Sequence, residues 1–164
     1  MRPSLLIAFF AALLCITPAH AAKRIALLVG VGSYADNSIR ALEGPPNDVD
    51  ALKAMLTAKW GFDTADVHTL VNAEATRTRI LQELDALKSR SRAGDVVFIY
   101  LSGHGTSDRD RAGGLPLPHT SGAFLPVDFP MNGTQQQQLA NVIIGQRDVR
   151  PRLQALEQDG RLLY

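Results

Sequence analysis

The sequence predicts a single α/β domain built on a mostly parallel sheet, and three observations support this fold class. Ile25–Val31 and Val96–Leu101 are continuous apolar runs of strand length, and Val67–Val71 is a shorter strand-like segment. Two segments with apolar residues at helical spacing lie between these three strands. An alternation of this kind forms a β-α-β-α-β unit whose helices pack against a parallel sheet.

Size and charge exclude several classes of protein. The chain has 164 residues, 46% of them apolar, which is enough for one globular core. Lys and Arg number 17 against 16 Asp and Glu, so the net charge is +1. A balance this close to neutral provides no field that would attract a polyanion. We therefore expect neither nucleic acid nor a membrane surface to be a partner of the mature domain.

The first 21 residues differ from the rest and predict a secretory signal peptide. Leu5–Ile16 is almost wholly apolar, and Ala19-His20-Ala21 has the small-x-small pattern of a cleavage site. The apolar run is too short for a membrane anchor, since a spanning helix needs roughly 20 apolar residues. The sequence thus predicts a leader at 1–21, a domain at 22–164, and an exported protein, periplasmic or secreted.

The two helices between the strands are predicted from their apolar spacing. The first should run from Asn47 to about Lys59, because the Gly44-Pro45-Pro46 segment is expected to prevent regular structure until the prolines are passed. Asn47 or Asp48 could cap its first turn. The second helix is predicted at Thr76–Ser89, with a threonine as its cap.

The segment after the third strand is predicted to be mostly irregular. Residues 106–134 are rich in Gly, Pro and Asp and are too long for a simple connection, which indicates a functional loop. Ala123–Val127 is a short apolar piece within it, and Gln135–Gln138 is expected to be solvated. A third helix is predicted around Val149–Leu156, and Arg161–Tyr164 is predicted to begin a fourth strand.

A histidine between two glycines is the strongest candidate for chemistry. His104 follows the strand Val96–Leu101 directly, within Ser102-Gly103-His104-Gly105. Ligands and reacting groups collect at the carboxyl ends of strands in open α/β sheets, and an imidazole can act there as an acid or a base. The N–H of Gly105, with no side chain beside it, could donate to a developing oxyanion. The pattern favours a catalytic role for His104 and Gly105.

Two other chemistries are less favoured by the sequence. Asp108, Asp110 and His119 lie near His104, but their spacing matches no metal-ligand pattern, so no metal site is predicted. The segment Gly30–Ala35 fits the dinucleotide pattern G-x-G-x-x-A. That pattern requires a helix to begin on the glycines, whereas a loop is predicted here. We expect these glycines to let the chain turn sharply off the strand.

Taken in order, the motifs resemble those of the caspase-like cysteine peptidases, the group that includes caspases, metacaspases and their bacterial relatives. The resemblance covers nearly the whole of residues 22–164. It rests on the segments Val29–Tyr34, Gly44–Val49, Glu74–Arg77, Gly94–Asp95, Ser102–Gly105 and Phe124–Asp128. It implies a caspase-like three-layer sandwich, with helices on both sides of a central sheet that is incomplete in its fourth strand.

The resemblance also implies roles for four residues. His104 matches the histidine of a Cys-His dyad, and Gly105 matches the glycine whose N–H helps to form the oxyanion hole. Ser102 and Asp48 match the residues that line the pocket for a basic P1 side chain in metacaspases. A purely structural role for Asp48, stabilising the first turn of its helix, is an equal alternative. The resemblance implies a peptide or protein substrate and no organic cofactor; calcium activation occurs in the family but has no support in this sequence.

The sequence departs from the family pattern at the nucleophile. In the family, the catalytic cysteine lies just beyond the fourth strand, whereas the only cysteine here is Cys15, inside the predicted leader. The mature chain is therefore expected to form no disulfide and to be inactive by itself. A truncated peptidase is the favoured interpretation, and a non-catalytic caspase-like module that binds peptides is the alternative.

Overall fold

The structure is a computed structural model that describes residues 21–110 and 114–164 of the chain. The predicted signal peptide, apart from its last residue, lies outside the described residues, as does Cys15. The strands in chain order are β1 Arg24–Gly30, β2 Val67–Val71, β3 Val96–Ser102, β4 Gly105–Ser107, β5 Gly122–Phe124, β6 Ile143–Ile144 and β7 Leu162–Leu163. The α-helices are α1 Gly44–Lys59, α2 Arg77–Arg90, α3 Gln135–Asn141 and α4 Arg150–Gln158.

A parallel sheet of four strands, in the order β2-β1-β3-β7, forms the centre of the domain and confirms the predicted fold class. The register of β1 on β3 runs from Arg24 opposite Val96 to Gly30 opposite Ser102. These two strands therefore end at the same level of the sheet. The loops that follow them start side by side, which is the arrangement that positions the site described below.

The core has two halves because β1 is buried on both of its faces. Ala26 and Leu28 pack on the side covered by α1. Leu27 and Val29, which alternate with them along the strand, pack on the side covered by α2 and α4. All four side chains are fully buried. Burial of apolar area on both sides of one strand is the main force that holds the two helical layers on the sheet.

The third strand is less buried than its apolar sequence predicts. Val97 alone in β3 is fully buried, while the other residues of the strand are partly exposed. The reason is the unequal pairing of its two edges. β1 runs along the whole of β3, whereas β7 pairs only with Val96 and Val97, extended by the hydrogen bonds of Tyr164 to Val97 and Ile99.

The first helix begins earlier than predicted, at Gly44, and the two prolines lie inside its first turn. Proline is tolerated there because the N–H groups of a first turn have no partner within the helix. The predicted side-chain caps are also wrong. Glu43 is at the cap position without a side-chain hydrogen bond, and Asn47 donates backward to the carbonyl of Glu43. Asp48 thus lies in the second turn of α1.

The second helix agrees with its prediction within a residue at each end. Thr76 is its cap, and the Thr76 hydroxyl accepts from the N–H of Arg79 at 3.2 Å. A second acceptor comes from far along the chain, since Asp128 accepts from the N–H of Arg77 at 2.9 Å. This bond joins the start of α2 to the segment that follows β5.

The predicted long loop contributes two strands to a second sheet that the sequence did not reveal. β4, β5 and β6 form a three-stranded antiparallel sheet, and each of these strands is only two or three residues long. Gln135–Gln138, expected to be solvated, is mostly exposed and belongs to α3, whose cap Thr134 forms a capping box with Gln137. The third predicted helix is α4, and the predicted fourth strand is β7. Within the described part of the chain, no helix is long and apolar enough to span a bilayer.

A buried carboxylate fastens the second sheet to α2. Asp148 accepts from the N–H of Ile144 at 2.7 Å and from the guanidinium groups of Arg147 and Arg77. Burial raises the pKa of Asp148, but the hydrogen bonds from Arg147 and Ile144, with the charges of both arginines, outweigh it and bring the pKa below its ordinary value.

We predict that Asp148 stabilises the fold in a pH-dependent way. A carboxyl group whose pKa is lowered by folding contributes stability above its unfolded pKa of about 3.9, and this stability is lost as the pH falls through the folded pKa. The Asp148→Asn variant should lower the free energy of unfolding at pH 7 by at least about 1 kcal/mol. Urea unfolding of both proteins should show this difference shrinking below about pH 4.

The matched control is Asp85→Asn, which removes an ion pair between an exposed carboxylate and Arg152. We expect this surface pair to change stability by less than about 1 kcal/mol. A difference between wild type and Asp148→Asn that stays constant from pH 7 to pH 2 would contradict the assignment.

Candidate functional site

His104 lies two residues beyond the carboxyl end of β3, and its backbone is fixed by a tyrosine. The N–H of His104 donates to Oη of Tyr34 at 2.8 Å, and the centres of the two rings are 5.5 Å apart. Tyr34 is buried, and its burial raises the pKa of its phenol, an effect only partly opposed by the hydrogen bond from His104. The phenol is therefore neutral at physiological pH and can accept this bond throughout that range.

The imidazole of His104 is fixed by a backbone carbonyl. Its Nε2 atom lies 2.7 Å from the carbonyl oxygen of Arg40, in the loop between β1 and α1. A carbonyl oxygen can only accept, so Nε2 must carry the proton and, in the neutral ring, Nδ1 holds the free lone pair. No described residue forms a hydrogen bond with Nδ1. His104 is thus held in the tautomer that leaves Nδ1 able to act as a base.

The N–H of Gly105 is not used by the second sheet. Gly105 lies opposite Phe124 in the antiparallel pair of β4 and β5, and the N–H of Leu125 donates to the carbonyl of His104 at 3.0 Å. This bond makes Gly105 and Phe124 a non-hydrogen-bonded pair, in which the polar groups point away from the partner strand. Because β4 is the edge strand of its sheet, the N–H of Gly105 points towards open space.

The glycine before His104 is required by close packing. A β-carbon on Gly103 would lie 3.0 Å from Cε2 of Phe124 and 3.1 Å from Oη of Tyr34. Any side chain here would push on the same hydroxyl that binds the N–H of His104. Because Gly103 has no side chain, the backbone fits between the rings of Phe124 and Tyr34. The position of His104 depends on this fit.

The loop that carries Tyr34 and Arg40 is held at both of its sides. Oδ1 of Asn72 accepts from the N–H groups of Gly32 and Ser33, at 2.8 and 3.1 Å. The N–H of Ala35 donates to the carbonyl of Val127 at 2.9 Å. The loop contains no α-helix, so the condition for dinucleotide binding at the first glycines is not met.

Gly32 serves close packing instead, because a β-carbon there would lie 2.5 Å from the carbonyl oxygen of Leu42. The N–H of Leu42 donates to the carbonyl of Gly32 at 2.7 Å, which closes the base of the loop. The chain turns back on itself at this point, and the turn brings Arg40 over His104.

Asp48 and Ser102, predicted together from the family resemblance, are brought into contact. Oγ of Ser102 donates to Oδ2 of Asp48 at 3.2 Å, and the phenol of Tyr100 donates to the same oxygen at 3.3 Å. Tyr100 packs on the side of the sheet that α1 covers. Ser102 is two residues further along β3 and therefore faces the same side, from which Asp48 projects. The Asp48 carboxylate is exposed and retains acceptor capacity for a further donor.

A cavity of about 290 Å³ opens on the opposite side of His104. His104 and Gly105 form part of its wall, and Ile39, Leu125, Phe129 and Met131 supply apolar surface. Of the acidic and histidine residues considered with His104, Asp110 lines the cavity, whereas Asp108 and His119 do not. Among the described residues, no group of three or more His, Cys, Asp or Glu side chains is arranged to hold a metal ion.

The structure brings four of the predicted site residues together. His104, Gly105 and Ser102 lie at the carboxyl end of β3, and Asp48 contacts Ser102 there. The roles assigned to them from the sequence stay predictions. Tyr34 and Arg40 were missed as site residues, although Tyr34 belongs to one of the motifs that carry the resemblance. Arg40 has no sequence signal, since it contributes only its backbone carbonyl.

We predict that the bond from His104 to Tyr34 is measurable. Tyr34→Phe leaves the N–H of His104 without its acceptor, which should cost about 1 kcal/mol in the free energy of unfolding. It should also speed hydrogen exchange at the His104 amide. Tyr100→Phe is the matched control, because its phenol makes only an exposed 3.3 Å bond and its loss should cost less than about 0.5 kcal/mol. Equal effects of the two variants would contradict this role.

Comparisons with known proteins agree on one family. The family model described as the caspase domain, peptidase family C14, matches residues 23–153. Metacaspase-7 of Arabidopsis thaliana is 36% identical over 90 residues, which cover 52% of this chain and 22% of that protein. Metacaspase-1 of Eremothecium gossypii is 32% identical over 118 residues, covering 68% of this chain and 25% of the relative. Metacaspase III c of Phaeodactylum tricornutum is 27% identical over 122 residues, which cover 72% of this chain and 36% of that protein.

The chain thus spans between 22% and 36% of the length of these curated relatives. Among solved structures, a structural genomics target from Geobacter sulfurreducens aligns over 85% of this chain and 46% of its own, with a TM-score of 0.55 and 20% identity. At this identity the likeness supports the fold alone.

Proposed function

The chain belongs to the caspase-domain family of cysteine peptidases, peptidase family C14, and on this basis we propose that it carries the histidine half of an endopeptidase site. The family implies peptide or protein substrates. The observation that carries the proposal is the contact between Nε2 of His104 and the carbonyl of Arg40, because it leaves Nδ1 free to exchange a proton. His104 also lines an open cavity, so a ligand can reach the imidazole.

In the proposed mechanism, His104 carries one proton in each of two half-reactions. Nδ1 takes the proton of a cysteine thiol, and the thiolate adds to the carbonyl carbon of the scissile peptide bond. The C–N bond then breaks, and the imidazolium returns the proton to the leaving amine. In the second half, Nδ1 takes a proton from water as the water oxygen adds to the thioester carbonyl carbon; the C–S bond breaks, the acid product leaves, and the imidazolium returns the proton to the cysteine thiolate. The carbonyl of Arg40 stabilises the imidazolium by accepting from Nε2.

Gly105 supports the same chemistry as an oxyanion donor. Its N–H points away from β5 and lies one residue beyond the base, where the carbonyl oxygen of a bound substrate would develop charge. The thiolate is not one of the described residues, since none of them is a cysteine. We propose that a cysteine outside residues 21–164 supplies it, and that the leader predicted at 1–21 directs the protein to export.

Asp48 and Ser102 are proposed to bind a basic side chain on the amino side of the scissile bond. The carboxylate supplies the charge, and the hydroxyls of Ser102 and Tyr100 hold it in one orientation. This arrangement weighs against first-turn stabilisation as the role of Asp48, because the helix starts at Gly44 and its cap is Glu43. The guanidinium group of arginine or the ammonium group of lysine would form a charge-assisted hydrogen bond with Asp48.

A non-catalytic module that binds peptides is the second candidate, favoured by the lack of a cysteine among the described residues. Reading the gene beyond the codon for Tyr164 separates the two functions. A continuing frame that encodes Asp-Cys or Asp-x-Cys shortly after this codon supports the peptidase, and a stop codon supports the module.

We predict that hydrolysis depends on His104. In the protein encoded by the complete reading frame, His104→Ala should lower kcat/KM for arginyl and lysyl peptide substrates by at least about 100-fold. His119→Ala, at an exposed histidine outside the cavity, should leave kcat/KM unchanged. The 164-residue chain alone should give no turnover. Turnover by that chain that His104→Ala abolishes would contradict the need for a further cysteine.

Asp48 is predicted to set the preference for a basic side chain. Asp48→Asn should reduce the ratio of kcat/KM for an arginyl peptide to that for the matching glutaminyl peptide by about 10- to 100-fold. Asp50→Asn removes an equivalent exposed charge two residues further along α1 and should leave this ratio unchanged. An unchanged ratio in Asp48→Asn would assign the basic pocket elsewhere.

A further inference from the structure

The cavity beside His104 is not used by the proposed mechanism, and it lies on the side of the sheet away from Asp48. Leu115, Leu125 and Phe129 of its wall belong to the core half that packs against α2 and α4. Ser102 faces α1, the opposite half. His104 is between the two regions, because it lines the cavity directly and follows Ser102 by two residues.

We infer that this cavity binds an apolar side chain of the substrate, on the residue that directly follows the scissile bond. The inference rests on the proposed function, in which His104 gives its proton to the leaving amine. That amine is the backbone nitrogen of the following residue, so the side chain of this residue must lie close to the imidazole. On the side of the sheet away from Asp48 and Ser102, the imidazole lines this cavity.

The size of the cavity and the apolar part of its lining fit one large apolar group, while Ser38, Thr106, Asp110 and Gln138 form a polar part of the wall. An apolar cavity of about 150 Å³ can hold a benzene molecule. The cavity of about 290 Å³ therefore has room for a leucine, methionine or phenylalanine side chain. Leu115, Leu125 and Phe129 are each less than one-tenth exposed, so the bottom is formed by core residues, while Met131 at the wall is 49% exposed. Burial of an apolar side chain against such a surface is favourable.

The walls of the cavity are held together before any ligand binds. Asp36 accepts from the N–H of Asn132 at 3.2 Å and from the hydroxyl of Ser38 at 2.6 Å. Gln138 of α3 donates to the carbonyl of Met131 at 2.6 Å. These bonds connect the loop that carries Ile39 to the segment that carries Met131. A pocket with connected walls loses little entropy on binding, which favours selectivity.

The test varies the residue after the scissile bond. Four quenched peptides carry arginine before the bond and leucine, phenylalanine, serine or aspartate after it, and kcat/KM is measured with the protein from the complete reading frame. We expect the leucine and phenylalanine peptides to exceed the serine and aspartate peptides by about 10- to 100-fold. Equal values for the four peptides, with hydrolysis otherwise normal, would overturn the inference and leave the proposed function standing.

A charge in the wall gives a sharper test. Met131→Lys should reduce the preference for leucine over aspartate at least about tenfold and raise kcat/KM for the aspartate peptide itself, because the new ammonium group would face its carboxylate. Gln136→Lys is the matched control; it adds the same charge to an exposed position of α3 that does not line the cavity, and its preferences should match wild type. The same change of preference in both variants would overturn the inference.

A binding experiment that needs no catalysis separates the two proposals if no peptide is hydrolysed. The 164-residue chain, labelled with ¹³C at its methionine methyl groups, is titrated with peptides whose first residue is leucine or serine. The leucine peptide should shift the signal of Met131, assigned with Met131→Leu, and leave that of Met55 on α1 unchanged. A shift with the leucine peptide alone supports the pocket even where the peptidase proposal fails. No shift, or equal shifts with both peptides, would overturn it.

Discussion

The parallel register between β1 and β3 is the constraint on which the rest of the site depends. It sets Gly30 opposite Ser102, and the N–H of Val31 extends the ladder by donating to the carbonyl of Ser102 at 2.9 Å. Since both strands end at one level, the loop after β1 has to pass over the loop after β3. The contacts of His104 with Tyr34 and Arg40 all follow from this one alignment.

The alignment in turn depends on burial rather than on polar contacts. β1 is apolar and buried on both faces, so a shift of register by one residue would exchange the sides that face α1 and α2. The polar bonds of the site are partly exposed and individually weak by comparison. Stability is therefore concentrated in the sheet. The groups proposed to react lie beyond the carboxyl ends of its inner strands, where local movement costs less free energy.

Sequence patterns predicted the parts of this structure in which local chemistry and the final fold agree. Val67–Val71 and the Thr76 cap are examples, because strand composition and a capping hydroxyl act over a few residues. The predicted start of α1 is wrong because proline breaks a helix only in its interior, whereas at the first turn it is compatible with one. The strands β4 and β5 were missed since each is three residues long and is held by pairing across many residues of loop. The residues proposed to act on substrate through their side chains could be named from the sequence, but the carbonyl that orients His104 could not.

The use of a backbone carbonyl at Arg40 has a consequence for how the site tolerates mutation. Every amino acid has a carbonyl oxygen, so replacement of the Arg40 side chain leaves the acceptor for Nε2 in place. Its position is set by the number of residues between the end of β1 and the first turn of α1. A substitution at residue 40 therefore keeps the acceptor for Nε2, whereas a change in the length of the loop from Val31 to Glu43 would move it. Insertions and deletions there, rather than substitutions, are the changes that would disorient the histidine.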